Sequence, residues 1–248
     1  MPDAVIVATA RTPIGRANKG SLVTMRPDDL SALVIRALFE RGPALDPSLV
    51  EDVLWGCGQP AGESGFNIAR VAAVLAGLDV PGVTVNRYCS SSLQTIRMAA
   101  HAIRAGEGDV FVAGGVETVS RFANGMADDG PPNPVFDGAR ARTRERAAGG
   151  QGPWTQPTGL PDIYIAMGQT AENVRETENV SREEMDRFAL LSHQRAVAAQ
   201  ERGFFEREIV PVKLPDGTVV ARDDGPRADT SLEKLAQLKP AFKQGGTV

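Results

Sequence analysis

Residues 83–100 read VTVNRYCSSSLQTIRMAA, and this stretch decides the fold. Its opening VTVN is rich in β-branched residues and predicts a short strand, whereas the segment from Ser90 to Arg104 has the apolar spacing of a helix closed by Gly106. That helix is expected to bury the apolar residues Leu93, Ile96, Ala100 and Ile103. A strand that passes directly into a helix is the repeating unit of a parallel α/β sheet.

The same alternation extends to both sides of this stretch. Strand-type runs occupy residues 4–10 (AVIVATA), 51–56 (EDVLWG) and 109–115 (DVFVAGG), and helix-type patterns occupy residues 27–41 and 67–75. The resulting order is β-α-β-α-β-α-β. The predicted fold class is therefore α/β, an amino-terminal unit with a mostly parallel sheet.

The composition changes after Arg121, where Gly, Pro, Asp and Arg become frequent and the strand-helix alternation stops. We expect residues 1–120 to form the α/β core and residues 121–248 to form a loop domain that packs over the substrate site; a disordered linker after Arg121 is the alternative. Ser181 and Glu184 form a capping-box pattern that starts a long helix. That helix is expected to turn three residues inward, Met185, Phe188 and Ala189. The segment 208–221 predicts a β-hairpin around a Pro-Asp-Gly turn.

Charge and hydropathy exclude several classes of protein. The 248 residues carry a formal net charge of −4 and a pI near 5.4, so no broad basic surface is expected for nucleic acid. The first residues lack a basic region followed by a long apolar stretch, and no window holds eighteen uninterrupted apolar residues. We therefore expect neither secretion nor a membrane span, and a protein of the cytoplasm or of an organelle matrix.

Cys89 is the strongest candidate for chemistry, because it stands at the junction between a predicted strand and a predicted helix. Unpaired N–H groups at a helix start favour an anion, and a thiolate is the form of cysteine that attacks a carbonyl carbon. The alternative is a small buried cysteine that fills a gap between strand and helix. The serines that follow, at positions 90–92, are explained by capping alone.

Other polar and sulfur-containing residues are weaker candidates. Cys57 lies between glycines and forms neither a disulfide-type nor a metal-type spacing with Cys89, so a structural role is expected and no metal site is predicted. Neither His101 nor His193 is a convincing general base. Glu117 could act as a base, but hydrogen bonding to local N–H groups is the favoured role. Met167 and Gly168 could line an apolar pocket or simply pack in the core.

Four segments together resemble the thiolase family along essentially the whole chain. They are VATARTPIGR (7–16), NRYCSSSLQ (86–94), GGVETVS (114–120) and MGQTAENV (167–174). The resemblance implies a thiolase-like fold of two similar α/β halves, with a loop domain inserted into the first half. It also implies a homodimer or homotetramer. Coenzyme A would be a substrate, and no covalently bound cofactor is implied.

The resemblance also implies roles for individual residues. Cys89 would be the nucleophile that becomes acylated, and Met167 would lie near the acyl group. The segment 222–242, with Arg222 and Arg227, would help to cover the nucleotide of coenzyme A. The implied activity is acyl transfer between coenzyme A thioesters, in which 3-ketoacyl-CoA and CoA give acyl-CoA and acetyl-CoA, or the reverse Claisen condensation.

Two departures and two alternatives stay open. Ser92 stands where the commoner thiolase pattern has glycine, and Ala166 stands where several short-chain thiolases have histidine. The second half, with its expected histidine, second cysteine and asparagine, is not part of this chain, which ends GGTV. The alternatives are a decarboxylating condensing enzyme of the same superfamily and a non-catalytic subunit that binds acyl-CoA or lipid or serves in assembly.

Overall fold

A computed structural model describes residues 2–42, 44–150 and 153–248. The chain forms two compact units. The first contains residues up to 129 together with residues 202–225, and the second contains residues 130–201 together with residues 226–248. The role expected for residues 121–248, a loop domain over a substrate site, stays a prediction.

The first unit is built on a parallel sheet. Its elements in chain order are α1 (Pro27–Arg41), β1 (Asp52–Gly56), α2 (Ile68–Leu75), β2 (Gly82–Val85), α3 (Ser91–Ala105) and β3 (Phe111–Gly115). The three strands pair in the order β2-β1-β3, and both pairings are parallel. The structure therefore confirms the predicted α/β class for this part of the chain.

The core lies where the central strand β1 meets α1 and α2. Val53 and Trp55 of β1, Ile35 of α1 and Ile68 of α2 are all buried in one apolar cluster. The indole Nε1 of Trp55 donates a hydrogen bond of 3.0 Å to the buried hydroxyl of Ser31. The polar atom of the largest core side chain is thus satisfied, as burial requires.

The third helix, α3, turns a different face to the sheet from the one predicted. Its buried residues are Ser91, Thr95 and Ala99, whereas Leu93 and Ile96 are 69% and 40% exposed. The prediction that these apolar side chains point inward is therefore wrong within this chain.

The backbone of α3 lies very close to the sheet, which explains why the helix buries its face of small residues. A Cβ on Gly56 of β1 would lie 2.7 Å from the backbone of Ser91 and Ser92, and a Cβ on Gly115 of β3 would overlap the hydroxyl of Ser92. Only small residues fit between a helix and a sheet at this separation. The Thr95 hydroxyl, which donates to the carbonyl of Gly114 at 3.1 Å, also ties the helix to the strand.

The predicted first strand, residues 4–10, is not formed. Val5, Ile6 and Val7 are between 71% and 72% exposed, and within the described part of the chain the segment joins no sheet. The one bridge nearby, outside the named strands, pairs Arg11 with Ile209. An extended segment becomes a strand only when a neighbouring strand takes its N–H and C=O groups, and no described strand lies beside this one.

The predicted hairpin is confirmed in the first unit. The strands β4 (Val212–Lys213) and β5 (Val219–Val220) pair antiparallel. Asp216 accepts a hydrogen bond of 2.9 Å from the N–H of Thr218, and Gly217 has a φ of +87°. The Pro-Asp-Gly turn thus closes the hairpin as its residue types predict.

The amino-terminal motif VATARTPIGR holds the chain around this hairpin. Arg11 contacts Glu208 at 2.9 Å and Asp223 at 2.7 Å. Asp224 accepts hydrogen bonds from the N–H groups of Arg16 and Ser21, at 3.1 and 2.7 Å. These contacts give the motif a structural role.

The second unit is helical. Its helices are α4 (Asp137–Ala147), α5 (Met167–Thr177), α6 (Arg182–Glu201) and α7 (Leu232–Ala236). The predicted capping box is confirmed, because Ser181 N–H donates to Glu184 at 2.8 Å and Glu184 N–H donates to the Ser181 hydroxyl at 3.2 Å. The inward placement of Phe188 is wrong, since that side chain is 72% exposed. Among the described residues, no helix has the length and apolarity needed to cross a membrane.

Candidate active site

The candidate site lies where the three parallel strands of the first unit end. Asn86 follows β2, Cys57 and Gly58 follow β1, and Glu117 lies two residues beyond β3. Parallel strands direct their carboxyl ends to one edge of the sheet, and open α/β sheets bind ligands at that edge. The chemistry-bearing residues of this unit therefore share one end of the fold.

Cys89 lies in a short 3-10 turn, Tyr88–Ser90, between the end of β2 and the start of α3. Its thiol is exposed. Tyr88, immediately before it, has a φ of +46°, in the left-handed region that few residues other than glycine adopt. The backbone thus makes a tight corner that presents the thiol at the surface of the unit.

The serines after Cys89 hold this corner rather than cap α3. The Ser91 hydroxyl accepts from Arg87 N–H at 2.8 Å and donates to the Tyr88 carbonyl at 2.7 Å. The Ser90 hydroxyl donates to the Arg87 carbonyl at 3.0 Å, and Ser90 makes no side-chain cap to the helix. The expectation that capping alone explains these serines is therefore wrong in its details. Because no side-chain cap occupies them, N–H groups of the first turn of α3 can face an anion.

Glu117 links the ends of β1 and β3. Its carboxylate accepts a hydrogen bond of 2.8 Å from the N–H of Gly58. Burial raises the pKa of the Glu117 carboxyl, and the N–H groups of Gly58 and Gln59 oppose that rise. Bonding to local N–H groups is the role favoured from the sequence, and the structure confirms those contacts.

Cys57 has an environment opposite to that of Cys89. It is only 1% exposed, and its Sγ lies 4.0 Å from Glu117 Oε1. Burial, and then the negative charge of Glu117, raise the pKa of the Cys57 thiol. A buried neutral thiol is a poor nucleophile, which fits the structural role predicted for this cysteine.

The three predicted substrate-binding residues are divided between the two units. Met167 is 71% exposed and is the first residue of α5 in the second unit. Arg222 is exposed and follows β5 in the first unit, whereas Arg227 is exposed in the second unit, where its backbone N–H donates to His193 Nδ1 at 3.1 Å. Their assembly with Cys89 into one site stays a prediction.

One face of α5 carries a cluster that sequence reasoning missed. Gly168, Glu172 and Glu176 stand four residues apart and contact the segment 242–248. The Phe242 ring lies against Gly168, where a Cβ would overlap it. The sequence signal for this cluster is the i, i+4 spacing of one small and two acidic residues within and just after MGQTAENV.

The acidic members of this cluster are nearly enclosed. Glu172 is 1% exposed and accepts from the N–H groups of Thr247 and Val248 at 2.6 and 2.7 Å. Burial would raise the pKa of Glu176, but hydrogen bonds from three donors lower it to about 2. Those donors are the side chains of Lys243 and Arg146 and the N–H of Trp154. The cluster anchors the segment 242–248 on α5.

The remaining titratable side chains supply neither a general base near Cys89 nor a metal site among the described residues. His101 is exposed on α3, twelve residues after Cys89, which corresponds to roughly 18 Å along a helix. Among the described residues, no group of three or more His, Cys, Asp or Glu side chains could hold a metal ion.

Comparison with known proteins identifies relatives of the chain. Residues 4–248 match the family described as "Thiolase, N-terminal domain". The chain is 44% identical over 256 residues to a beta-ketoadipyl-CoA thiolase of Acinetobacter baylyi, and the match covers 100% of this chain and 62% of that protein. It is 40% identical over 262 residues to a 3-ketoacyl-CoA thiolase of Bacillus subtilis, with 100% and 61% covered.

A solved structure is similar along nearly the whole chain. The crystal structure of the Bacillus anthracis acetyl-CoA acetyltransferase superposes with a TM-score of 0.77 at 36% sequence identity. The match covers 99% of this chain and 60% of that one. The chain therefore spans about three fifths of the length of the relatives it matches.

Proposed function

Because the chain belongs to the thiolase family, we propose that its protein transfers acyl groups between coenzyme A thioesters through Cys89. The observation that carries the proposal is the exposed thiol in the strained turn at the carboxyl end of a parallel sheet. The names of the relatives support the substrate class, since they include a 3-ketoacyl-CoA thiolase and an acetyl-CoA acetyltransferase.

In the degradative direction, the Cys89 thiolate attacks the 3-keto carbon of a 3-ketoacyl-CoA and forms a C–S bond. The bond between carbons 2 and 3 then breaks, its electron pair stays on acetyl-CoA as an enolate, and a proton converts the enolate to acetyl-CoA. The thiol of free coenzyme A attacks the acyl-cysteine, so that acyl-CoA leaves and Cys89 is regenerated. Backbone N–H groups at the start of α3 suit an oxyanion that develops next to the sulfur.

The proton transfers need a general base and acid. His101 is too far along α3 to reach Cys89, and Glu117 is engaged with Gly58. The family resemblance implies that a histidine, a second cysteine and an asparagine in a second α/β half supply these steps. The proposal therefore concerns the whole protein, with this chain contributing the acylated nucleophile.

Substrate binding would use Arg222, Arg227 and Met167. The exposed cations Arg222 and Arg227 suit the phosphates of coenzyme A, and the exposed thioether of Met167 suits an acyl chain. Coenzyme A would act as a substrate, without a covalently bound cofactor. We further propose a homodimer or homotetramer in the cytoplasm or an organelle matrix.

Thiolysis of acetoacetyl-CoA by coenzyme A tests the proposal in the full-length protein that carries this chain. We expect turnover in the native protein, loss of at least about a thousandfold in Cys89→Ala, and near-native turnover in the matched control Cys57→Ala. Acyl-CoA binding without turnover in the native protein would overturn the proposal and favour a non-catalytic acyl-CoA-binding subunit.

A further inference from the structure

The residue that precedes Cys89 is held in an unfavourable conformation. Tyr88 has a φ of +46°, a left-handed geometry that is unfavourable for a bulky residue and persists only where surrounding contacts offset its cost. Such a corner needs an explanation in the contacts around it. Two groups of contacts, one at each end of Tyr88, supply that explanation.

At the backbone end, Asn86 bridges two strand ends through both sides of its amide. Its Oδ1 accepts a hydrogen bond of 2.9 Å from the N–H of Tyr88, and its Nδ2 donates to the carbonyl of Gly58 at 3.1 Å. Gly58 in turn donates its N–H to Glu117 at 2.8 Å. The corner at Tyr88 is thereby connected to the ends of β1 and β3.

At the phenol end, the Tyr88 hydroxyl donates to Asp128 Oδ1 at 3.1 Å. Asp128 is itself fixed by a reciprocal pair of hydrogen bonds with Gln59. The Gln59 Nε2 donates to Asp128 Oδ2 at 2.6 Å, and the Asp128 N–H donates to Gln59 Oε1 at 3.1 Å. The ring of Tyr88 is therefore anchored to the loop that follows β1, although the ring itself is 58% exposed.

We propose that Asn86 and Asp128 are positioning residues, which hold Tyr88 at its two ends and so aim the thiol of Cys89. This inference rests on the proposed function of Cys89 as the acylated nucleophile. Neither residue would touch the substrate. Each acts through Tyr88, whose backbone torsions set the direction in which the next side chain leaves the turn.

A small change in the backbone torsions of Tyr88 is enough to move the sulfur of Cys89 out of place. A rotation of about 20° at Tyr88 displaces the sulfur of the next residue by about 1 Å, given ordinary bond lengths. Misplacement of a reacting atom by 1 Å can cost about a hundredfold in rate. The hydrogen bonds around Tyr88 are open to water, so loss of either end is expected to cost about tenfold in acylation rate.

Tyr88→Phe gives the sharpest test, because it removes only the hydroxyl. The control is Tyr164→Phe in the second unit, where the lost hydroxyl accepts a hydrogen bond of the same length, 3.1 Å, from the N–H of Asn133. Asn86→Ala and Asp128→Ala remove the two anchors. Asp128→Asn can keep both contacts of Asp128, because its amide oxygen can accept from Gln59 Nε2 while its amide NH2 donates to the phenol oxygen of Tyr88. All variants are made in the full-length protein that carries this chain.

Two rates at Cys89 are measured by mass spectrometry, together with the melting temperature. The first is acylation by acetyl-CoA as a function of concentration, and the second is alkylation by iodoacetamide. We expect Tyr88→Phe, Asn86→Ala and Asp128→Ala to lower the maximal acylation rate about tenfold, with an unchanged half-saturating concentration. Tyr164→Phe should match the native protein, and Asp128→Asn should recover most of the rate lost in Asp128→Ala.

Native acylation and alkylation rates in Tyr88→Phe and Asp128→Ala would overturn the inference. A fall in rate that only parallels a fall in melting temperature, without recovery in Asp128→Asn, would also overturn it, because it would indicate a structural role alone. If the native protein forms no acyl adduct but the variants still change the alkylation rate, the positioning role stands and the proposed function fails.

Discussion

At the scale of the residue, the chain places two cysteines at the same edge of one sheet and gives them opposite properties. Cys89 follows β2 and is exposed, whereas Cys57 follows β1, is 1% exposed and lies beside Glu117. The difference comes from the neighbouring elements. Cys89 lies in the exposed 3-10 turn after β2, whereas the turn after β1 is bonded through the N–H of Gly58 to Glu117, beyond the end of β3. The reactivity of each thiol is therefore set by the strand that it follows at this edge of the sheet.

This contrast predicts unequal alkylation. In the folded 248-residue chain, iodoacetamide should modify Cys89 at least about a hundred times faster than Cys57, because burial and the charge of Glu117 raise the pKa of the Cys57 thiol. Peptide mass spectrometry after timed quenching measures both rates. In concentrated guanidinium the two rates should become similar, and equal rates in the folded chain would contradict the account.

At the scale of the element, packing depends on how closely backbones approach. The helix α3 presents Ser91, Thr95 and Ala99 to the sheet because Gly56 and Gly115 leave no space for larger side chains. The sequence predicted the helix and its bounds closely, but periodicity alone chose the apolar face. Apolar residues mark a buried face only where a partner covers them, and the sheet of this chain does not cover Leu93 and Ile96.

Gly56→Ala tests this close approach. The added Cβ would lie 2.7 Å from the backbone of Ser91 and Ser92, which cannot yield as a flexible side chain would, so we expect a loss of about 1–3 kcal/mol in the free energy of unfolding. Urea unfolding measures it. Gly225→Ala is the matched control, because a Cβ there meets no atom within 4 Å, and its stability should stay within about 0.5 kcal/mol of native. A native-like Gly56→Ala would contradict the packing argument.

The anchoring of segment 242–248 on α5 predicts a dependence on pH. The pKa of Glu176 falls from an ordinary 4.5 to about 2 in the folded chain, so its contribution to stability is complete above pH 4.5 and is lost as the pH falls from there toward 2. Glu176→Gln should therefore lose stability at pH 7, on the order of 2 kcal/mol, and this difference from the native chain should shrink below about pH 4.

Urea unfolding of both proteins between pH 7 and pH 3 checks this prediction. Glu178→Gln makes the same change of charge at an exposed position just after α5, and it should cost less than half as much at pH 7. A difference between Glu176→Gln and the native chain that stays constant, or grows, as the pH falls would contradict the assigned hydrogen bonds.

At the scale of the whole molecule, apolar surface is left open in the first unit. Val5, Ile6 and Val7 join no described sheet, and Leu93 and Ile96 of α3 face away from the sheet that the helix covers. Exposed apolar groups of this kind mark surfaces that other chain segments or subunits cover. The second α/β half and the oligomer that the family resemblance implies are the partners we propose for them.

The features that the sequence predicts correctly are those that depend on local residue types. Strands β1, β2 and β3, the capping box at Ser181 and the hairpin turn at Gly217 depend on local residue types, and the sequence predicted them. The strand at residues 4–10 and the inward face of α3 depend on groups outside the described sheet, and both predictions failed. Cys89 was identified from a local pattern, whereas the contacts of Asn86 and Asp128 join segments that are distant in sequence, so only the structure reveals them.

The most direct test of the account is to trap the acyl-enzyme. The full-length protein that carries this chain is mixed with acetoacetyl-CoA, quenched in acid within seconds, and digested for mass spectrometry. The account predicts one acetyl group on the peptide that contains Cys89, none on the peptide that contains Cys57, and no adduct in Cys89→Ala. An unmodified Cys89 in a protein that still turns over substrate, or an acetyl group on any other residue, would contradict it.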